Sequence, residues 1–198
     1  MIYISSSCVK ESQICESVAR LVALGFKNIE LSGGTEHYEK LENDLLGLKC
    51  SHGLNFLLHN YFPPPQKSFI ANIASLDEEI YQASISHYRK AIKLSKTLNA
   101  KKFGLHAGYL IDFKAVEAGR KIGSYDLSNR ADALRRLIFA LDTLSETAGD
   151  EVELYLENNV LSETNRETYP GETPFLLVNR NDYDELIGMT EFNLLFDL

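Results

Sequence analysis

Short apolar runs alternate with helical periodicity from one end of this 198-residue chain to the other. The runs are IYIS (2–5), NIELS (28–32), NFLLH (55–59), FGLH (103–106), ELYLE (153–157) and FNLLF (192–196). Between them apolar residues recur three and four apart, which gathers them on one helix face. Ile14, Val18, Leu21 and Val22 mark the first helix, and Gly25 fits its end. A short, weakly periodic helix is expected over 36–46. Ser75 and Glu78 read as a capping-box pair ahead of Ile80, Tyr81, Ile85, Tyr88, Ile92 and Leu98. Ala131, Leu134, Leu137, Ile138, Leu141 and Leu144 give the next helix, which stops at Gly149. A short helix near 183–187 precedes the last run. Strand and helix in strict alternation predict an α/β fold on a parallel sheet. The runs are apolar on both parities more often than they alternate, which suits a sheet covered by helices. No linker or low-complexity segment interrupts the pattern, so a single domain over 1–198 is expected.

Composition narrows the function classes. No apolar run approaches the roughly 20 residues that cross a membrane. The start, MIYISSSCVKES, has too short an apolar part and no basic flank for a signal peptide. Cys8, Cys15 and Cys50 are odd in number and lack CxxC spacing, which argues against a disulfide framework or a cysteine zinc site and for a reducing cytoplasm. The net charge of −8 tilts against nucleic acid, because affinity for phosphate backbones rests on Lys and Arg.

The connections are lopsided. Turns from helix to strand are short (GFK, NAKK, GDE), whereas strand-to-helix loops 60–75, 107–127 and 158–180 are long. In α/β folds, sites form on the loops that follow the carboxyl ends of strands. There the runs end in His59, His106, Glu157 and Asp197. A lone histidine or acid at a strand end is more often a hydrogen-bonded structural group. Four at equivalent places are harder to dismiss, and two imidazoles with two carboxylates suit Zn²⁺, Mn²⁺, Fe²⁺ or Co²⁺.

Other candidates read more blandly. Glu30 ends the second run ahead of LSGG, and binding a substrate hydroxyl weighs equally with a salt bridge under the rim. SGG lacks the P-loop Lys-Ser/Thr and the full GxGxxG spacing, so it reads as a turn. His87 reads as surface or packing within the long helix. His37 and His52 read as exposed. PPP (63–65) reads as a stiff loop wall, and the lysines at 90, 93, 96, 101 and 102 as a solvated face.

LLHNYFPPPQKSFIANIAS, FGLHAG (103–108), LYLENN (154–159) and LLFDL together resemble the xylose isomerase-like TIM barrel superfamily, which includes endonuclease IV and sugar isomerases and epimerases. The first segment is similar to the endonuclease IV pattern around its first zinc histidine, with a strand-end His, a loop Asn (Asn72) and a long helix. The others resemble the family's His-x-Gly, Glu-Asn and Asp strand ends. The resemblance implies His59, His106, Glu157 and Asp197 as metal ligands, with Glu157 also the catalytic candidate, and Asn72 and Asn158 join Glu30 as substrate-binding candidates. It implies a parallel (β/α) barrel with about six of eight strands in this chain. The family's seventh and eighth strands, with a further His and Glu, are not seen, so a C-terminally truncated barrel is expected. Its open edges would invite a homodimer. A full barrel takes typically about 250 residues.

The function implied first is a metal-dependent isomerase or epimerase, with Zn or Mn, acting on a small sugar, sugar phosphate or related polyol. An endonuclease IV-like phosphodiesterase for abasic DNA is the alternative, favoured by the two strand-end histidines. A non-catalytic binding module or inactive fragment is the third.

Overall fold

A computed structural model of the chain describes residues 2–196. Six strands form one parallel α/β sheet in the order β1-β2-β3-β4-β5-β6. They are β1 (Ile4–Ser5), β2 (Asn28–Leu31), β3 (Asn55–Leu58), β4 (Lys102–His106), β5 (Glu153–Glu157) and β6 (Asn193–Leu195). The helices are α1 (Ile14–Ala23), α2 (Leu41–His52), α3 (Glu78–Thr97), α4 (Arg130–Ala148), α5 (Glu163–Thr168) and α6 (Arg180–Ile187). Among the described residues no helix is long and apolar enough to cross a membrane. The chain divides into two compact units. One runs up to Lys67 and adds Arg89–Phe103 and Ala148–Glu153; the other takes Ser68–Tyr88, Gly104–Thr147 and the residues from Leu154.

In the first unit, Ile29, Leu31, Phe56 and Leu58 of the strands are buried, with Ile14, Val18 and Leu21 of α1. Each such side chain stabilises by roughly 1.5–3 kcal/mol. Only Leu41 and Leu45 of α2 are buried, which is why its periodicity is faint. The expected 36–46 helix is therefore misplaced: it runs over Leu41–His52 and ends where Gly53 takes a left-handed φ of 63°.

In the second unit, Leu105 and Leu156 of the strands are buried, with Tyr81, Ile85, Leu134, Leu137 and Leu144 of the helices. Helix α3 starts differently from expectation. Asp77, not Ser75, caps it: Asp77 Oδ1 accepts from the N–H groups of Glu79 (2.9 Å) and Ile80 (3.1 Å). The Ser75 hydroxyl donates instead to Asp112 Oδ2 (2.7 Å). Loops 107–127 and 158–180 are not loose. Ile70, Tyr109, Ile111, Ile122, Tyr169 and Phe175 make a hydrophobic core of their own. Asn165 of α5, a helix absent from the sequence expectation, accepts from Ile122 N (2.9 Å) and donates to Arg120 O (3.2 Å).

Burial along the strands corrects the expectation of cover on both faces. β2 and β3 alternate between buried and more exposed positions. The apolar parity packs on helices, and the other parity carries Glu30 and the residues leading to His59. β6 departs furthest from a helix-covered strand: Leu194 and Leu195 are 38% and 42% exposed. Apolar composition alone does not report cover at a sheet edge, and β6 pairs only with β5 in the described sheet.

Candidate functional site

In the first unit, β1, β2 and β3 place a polar cluster just past their carboxyl ends. Parallel pairing sets Ser5 beside Glu30, and Glu30 beside Leu57. Residues two apart on a strand share a face, so Glu30 and Ser32 point the same way, as do Leu57 and His59. The register therefore brings Glu30, Ser32 and His59 to one side. The His59 N–H continues the ladder by donating to Leu31 O (2.9 Å). These side chains line a cavity of about 480 Å³ with Ser5, Ser7 and Tyr61. Ser5 Oγ lies 2.6 Å from Ser32 Oγ and 2.9 Å from Ser7 Oγ. The Ser32 N–H donates to Ser6 Oγ (2.8 Å), which fixes the turn after β2 over the end of β1. The His59 and Tyr61 rings are 6.5 Å apart and 28° from parallel. Sequence reasoning reached Glu30 and His59 but not the serines. Their signal was position: SSS and LSGG each follow a strand, as the four metal-ligand candidates end one.

In the second unit, His106 ends β4 and Glu157 ends β5. Glu157 is 8% exposed. Gly104, two residues before His106 and on its face, shows where the acid points. A Cβ on Gly104 would lie 3.9 Å from Glu157 Oε2 and 2.8 Å from Leu195 Cδ2. His106 and Glu157 thus project from the same side of the sheet, and the missing side chain at Gly104 lets Leu195 approach beside the carboxylate. A carboxylate this buried is stable as an anion only with hydrogen bonds or a cation nearby.

The loop after β4 is clamped by Asn72. Its Nδ2 donates to Asp112 Oδ1 (2.7 Å), Tyr109 O (3.1 Å) and Ile111 O (3.3 Å). Its Oδ1 accepts from Tyr109 N (3.0 Å) and Ala74 N (3.1 Å). Asn72 is 1% exposed, so its amide is engaged within the protein. Gly108 of FGLHAG sits at φ 85°, where a Cβ would lie 2.8 Å from Ala74 Cβ. The motif's glycine is therefore required by the backbone.

Asn158 and Asn159 divide their work. Asn159 is buried and donates through Nδ2 to Leu176 O (2.8 Å) and Gly108 O (3.0 Å), tying two loops together. Asn158 instead lines a groove of about 560 Å³ with Leu177, Tyr183, Leu194 and Phe196. His87 is buried and meets Phe69 edge-on at 5.8 Å, a packing role. His37 and His52 are exposed. Asp197 lies outside the described residues.

Within the second unit, the donor types of His106 and Glu157, an imidazole and a carboxylate, fit Zn²⁺ or Mn²⁺. Among the described residues no group of three or more His, Cys, Asp or Glu side chains is gathered to hold an ion.

The sequence pattern of the xylose isomerase-like TIM barrel family matches residues 18–191. The chain belongs to the xylose isomerase-like TIM barrel family. Solved structures agree at the level of fold. A D-tagatose 3-epimerase-like protein is 18% identical with a TM-score of 0.69, over 98% of this chain and 63% of that one. Endonuclease IV from Thermus thermophilus is 12% identical with a TM-score of 0.57, over 98% and 61%. An L-ribulose 3-epimerase is 22% identical with a TM-score of 0.56, over 79% and 49%. This xylose isomerase-like chain spans less than two thirds of the length of each. A comparison with the curated proteins gives no match.

Proposed function

We propose that this protein is a divalent-metal-dependent isomerase or epimerase of a sugar or related polyol. The observation that carries the reading is the buried Glu157 carboxylate beside side-chain-free Gly104, on the face that also bears His106. Family membership, with sugar epimerases among the similar folds, is the second support.

His106 and Glu157, with Asp197 as the sequence implies, would hold Zn²⁺ or Mn²⁺. When bound, such an ion polarises substrate carbonyl and hydroxyl oxygens and stabilises charge that develops as a proton leaves. The chain's own residues do the rest. Glu157 is the base that takes the proton from the carbon next to the carbonyl. Glu30 accepts hydrogen bonds from substrate hydroxyls. Asn158 contacts the substrate from its groove, and Asn72 acts by holding the loop after β4.

The test is exchange of substrate hydrogen in D₂O. Ketoses incubated with the full chain and Mn²⁺ or Zn²⁺ should gain deuterium at the carbon beside the carbonyl, read by proton NMR. Glu157→Gln should slow that exchange by about 10²–10⁴-fold, the usual contribution of a positioned base. Cleavage of abasic-site DNA with no exchange in any ketose would replace this reading with a phosphodiesterase.

A further inference from the structure

We infer that the cavity at the ends of β1, β2 and β3 is a subsite for a neutral, hydroxyl-bearing part of the ligand, and that it discriminates against a phosphate ester there. The ligand class rests on the sugar-isomerase reading; the subsite rests on the geometry of the first unit.

Among the described residues the hydroxyl cluster leaves one of its own donors without an acceptor. Ser7, Ser5 and Ser32 form a chain through Ser5 Oγ, at 2.9 Å and 2.6 Å. Ser5 Oγ also accepts from Ser7 N (3.3 Å). A hydroxyl offers one donor and two acceptor positions, so Ser5 is saturated. If Ser5 donates to Ser32, the Ser32 hydrogen is left over; if it donates to Ser7, the Ser7 hydrogen is. Either way one O–H remains for a ligand oxygen, and one outer hydroxyl keeps both acceptor positions and the other keeps one for ligand O–H groups. A polyol, donor and acceptor at every hydroxyl, matches that inventory.

The charge on the lining sets the discrimination. Glu30 is a partly buried acid, and the other polar side chains are the serines, His59 and Tyr61. A carboxylate accepts from neighbouring hydroxyls on two oxygens. The same carboxylate repels a phosphate ester, which carries about −1.5 to −2 charge at neutral pH. The nearly parallel His59 and Tyr61 rings give the apolar C–H edge of a polyol a wall. The volume of about 480 Å³ falls among small-molecule sites, roughly 300–1,000 Å³.

The experiment is an amide NMR titration of the full chain with an unphosphorylated ketohexose and, separately, the corresponding ketose monophosphate. The ketose is expected to shift the amides of Ser5–Ser7 and Ser32–Gly34. The monophosphate is expected to bind at least about tenfold more weakly, a difference of about 1.4 kcal/mol. Glu30→Gln should close most of that gap. Ser7→Ala, at an exposed hydroxyl whose loss leaves the fold intact, should weaken the ketose. Equal or tighter binding of the monophosphate overturns the inference, as does a ketose that shifts other amides or none. Ketose binding at these serines without hydrogen exchange in the metal-loaded protein would defeat the isomerase reading alone. Exchange without shifts at these amides would defeat the subsite alone.

Discussion

Replacing Gly108 by alanine separates two costs that usually travel together. Gly108 sits at φ 85°, and a Cβ there would lie 2.8 Å from Ala74 Cβ, 3.0 Å from Asn72 Oδ1 and 3.2 Å from Ala74 N. Gly25 is at φ 90° with nothing within 4 Å of its virtual Cβ. Gly25→Ala therefore pays for the left-handed backbone alone, roughly 1–2 kcal/mol. Gly108→Ala adds an overlap with backbone and buried clamp atoms that cannot swing aside, roughly 1–3 kcal/mol by analogy with overpacked cores. The sum is about 2–5 kcal/mol. At roughly 2–4 °C per kcal/mol for a chain of this size, Gly108→Ala should lower Tm by about 4–20 °C and Gly25→Ala by about 2–8 °C, with Gly108→Ala the larger loss. Thermal and urea unfolding followed by far-UV circular dichroism measure both variants side by side. Equal losses for the two would show that the contact with Ala74 and Asn72 is not close, and the clamp geometry after β4 would be wrong.

The same clamp predicts that Asn72→Leu, similar in size, loses about 3 kcal/mol in urea unfolding. It strands the N–H groups of Ala74 and Tyr109 in a buried setting, at about 1–3 kcal/mol for each unsatisfied group. Arg130 pairs with Asp182 and Glu185, each at 2.7 Å, and the Asp182 side chain is 9% exposed. Arg130→Met should cost about 2 kcal/mol by the same assay, below the fully buried range because Arg130 is a third exposed. The loop around Glu117 should hold best between the acid and alkaline limits. The Tyr125 hydroxyl, then the Gly123 and Lys114 N–H groups, hold the Glu117 carboxyl below its ordinary value. Its stabilisation is present above about pH 4.3 and is lost as pH falls through the lowered value. The bond to Glu117, then burial, pushes the Tyr125 phenol up, so that part is present below about pH 10 and lost as pH rises through the raised value. Hydrogen exchange of the Gly123 amide across pH checks both edges.

The fold was legible wherever apolar periodicity was strong. ELYLE matches β5 to the residue as a short apolar run closed by its acid, and Ile14, Val18 and Leu21 mark α1 because its buried positions repeat at the helical period. α2 was misplaced because it buries only Leu41 and Leu45, although the Gly53 that ends it was visible. Asp77 was passed over for Ser75 because both are good caps and spacing alone does not choose between them. At the site, strand ends were readable because an acid or imidazole directly after an apolar run is conspicuous. The Ser5–Ser32 contact was not, since it depends on the register of β1 on β2 across 27 residues of sequence. The loop core around Tyr109 and Phe175 was hidden for the same reason: its members have no common period.

Direct titration of the full chain with Zn²⁺ and with Mn²⁺, read by isothermal calorimetry and metal analysis after dialysis, tests the central claim most directly. The account predicts binding at micromolar level or tighter, weakened at least about tenfold in His106→Ala and in Glu157→Gln. No binding at that level, or binding unchanged in both variants, would contradict it.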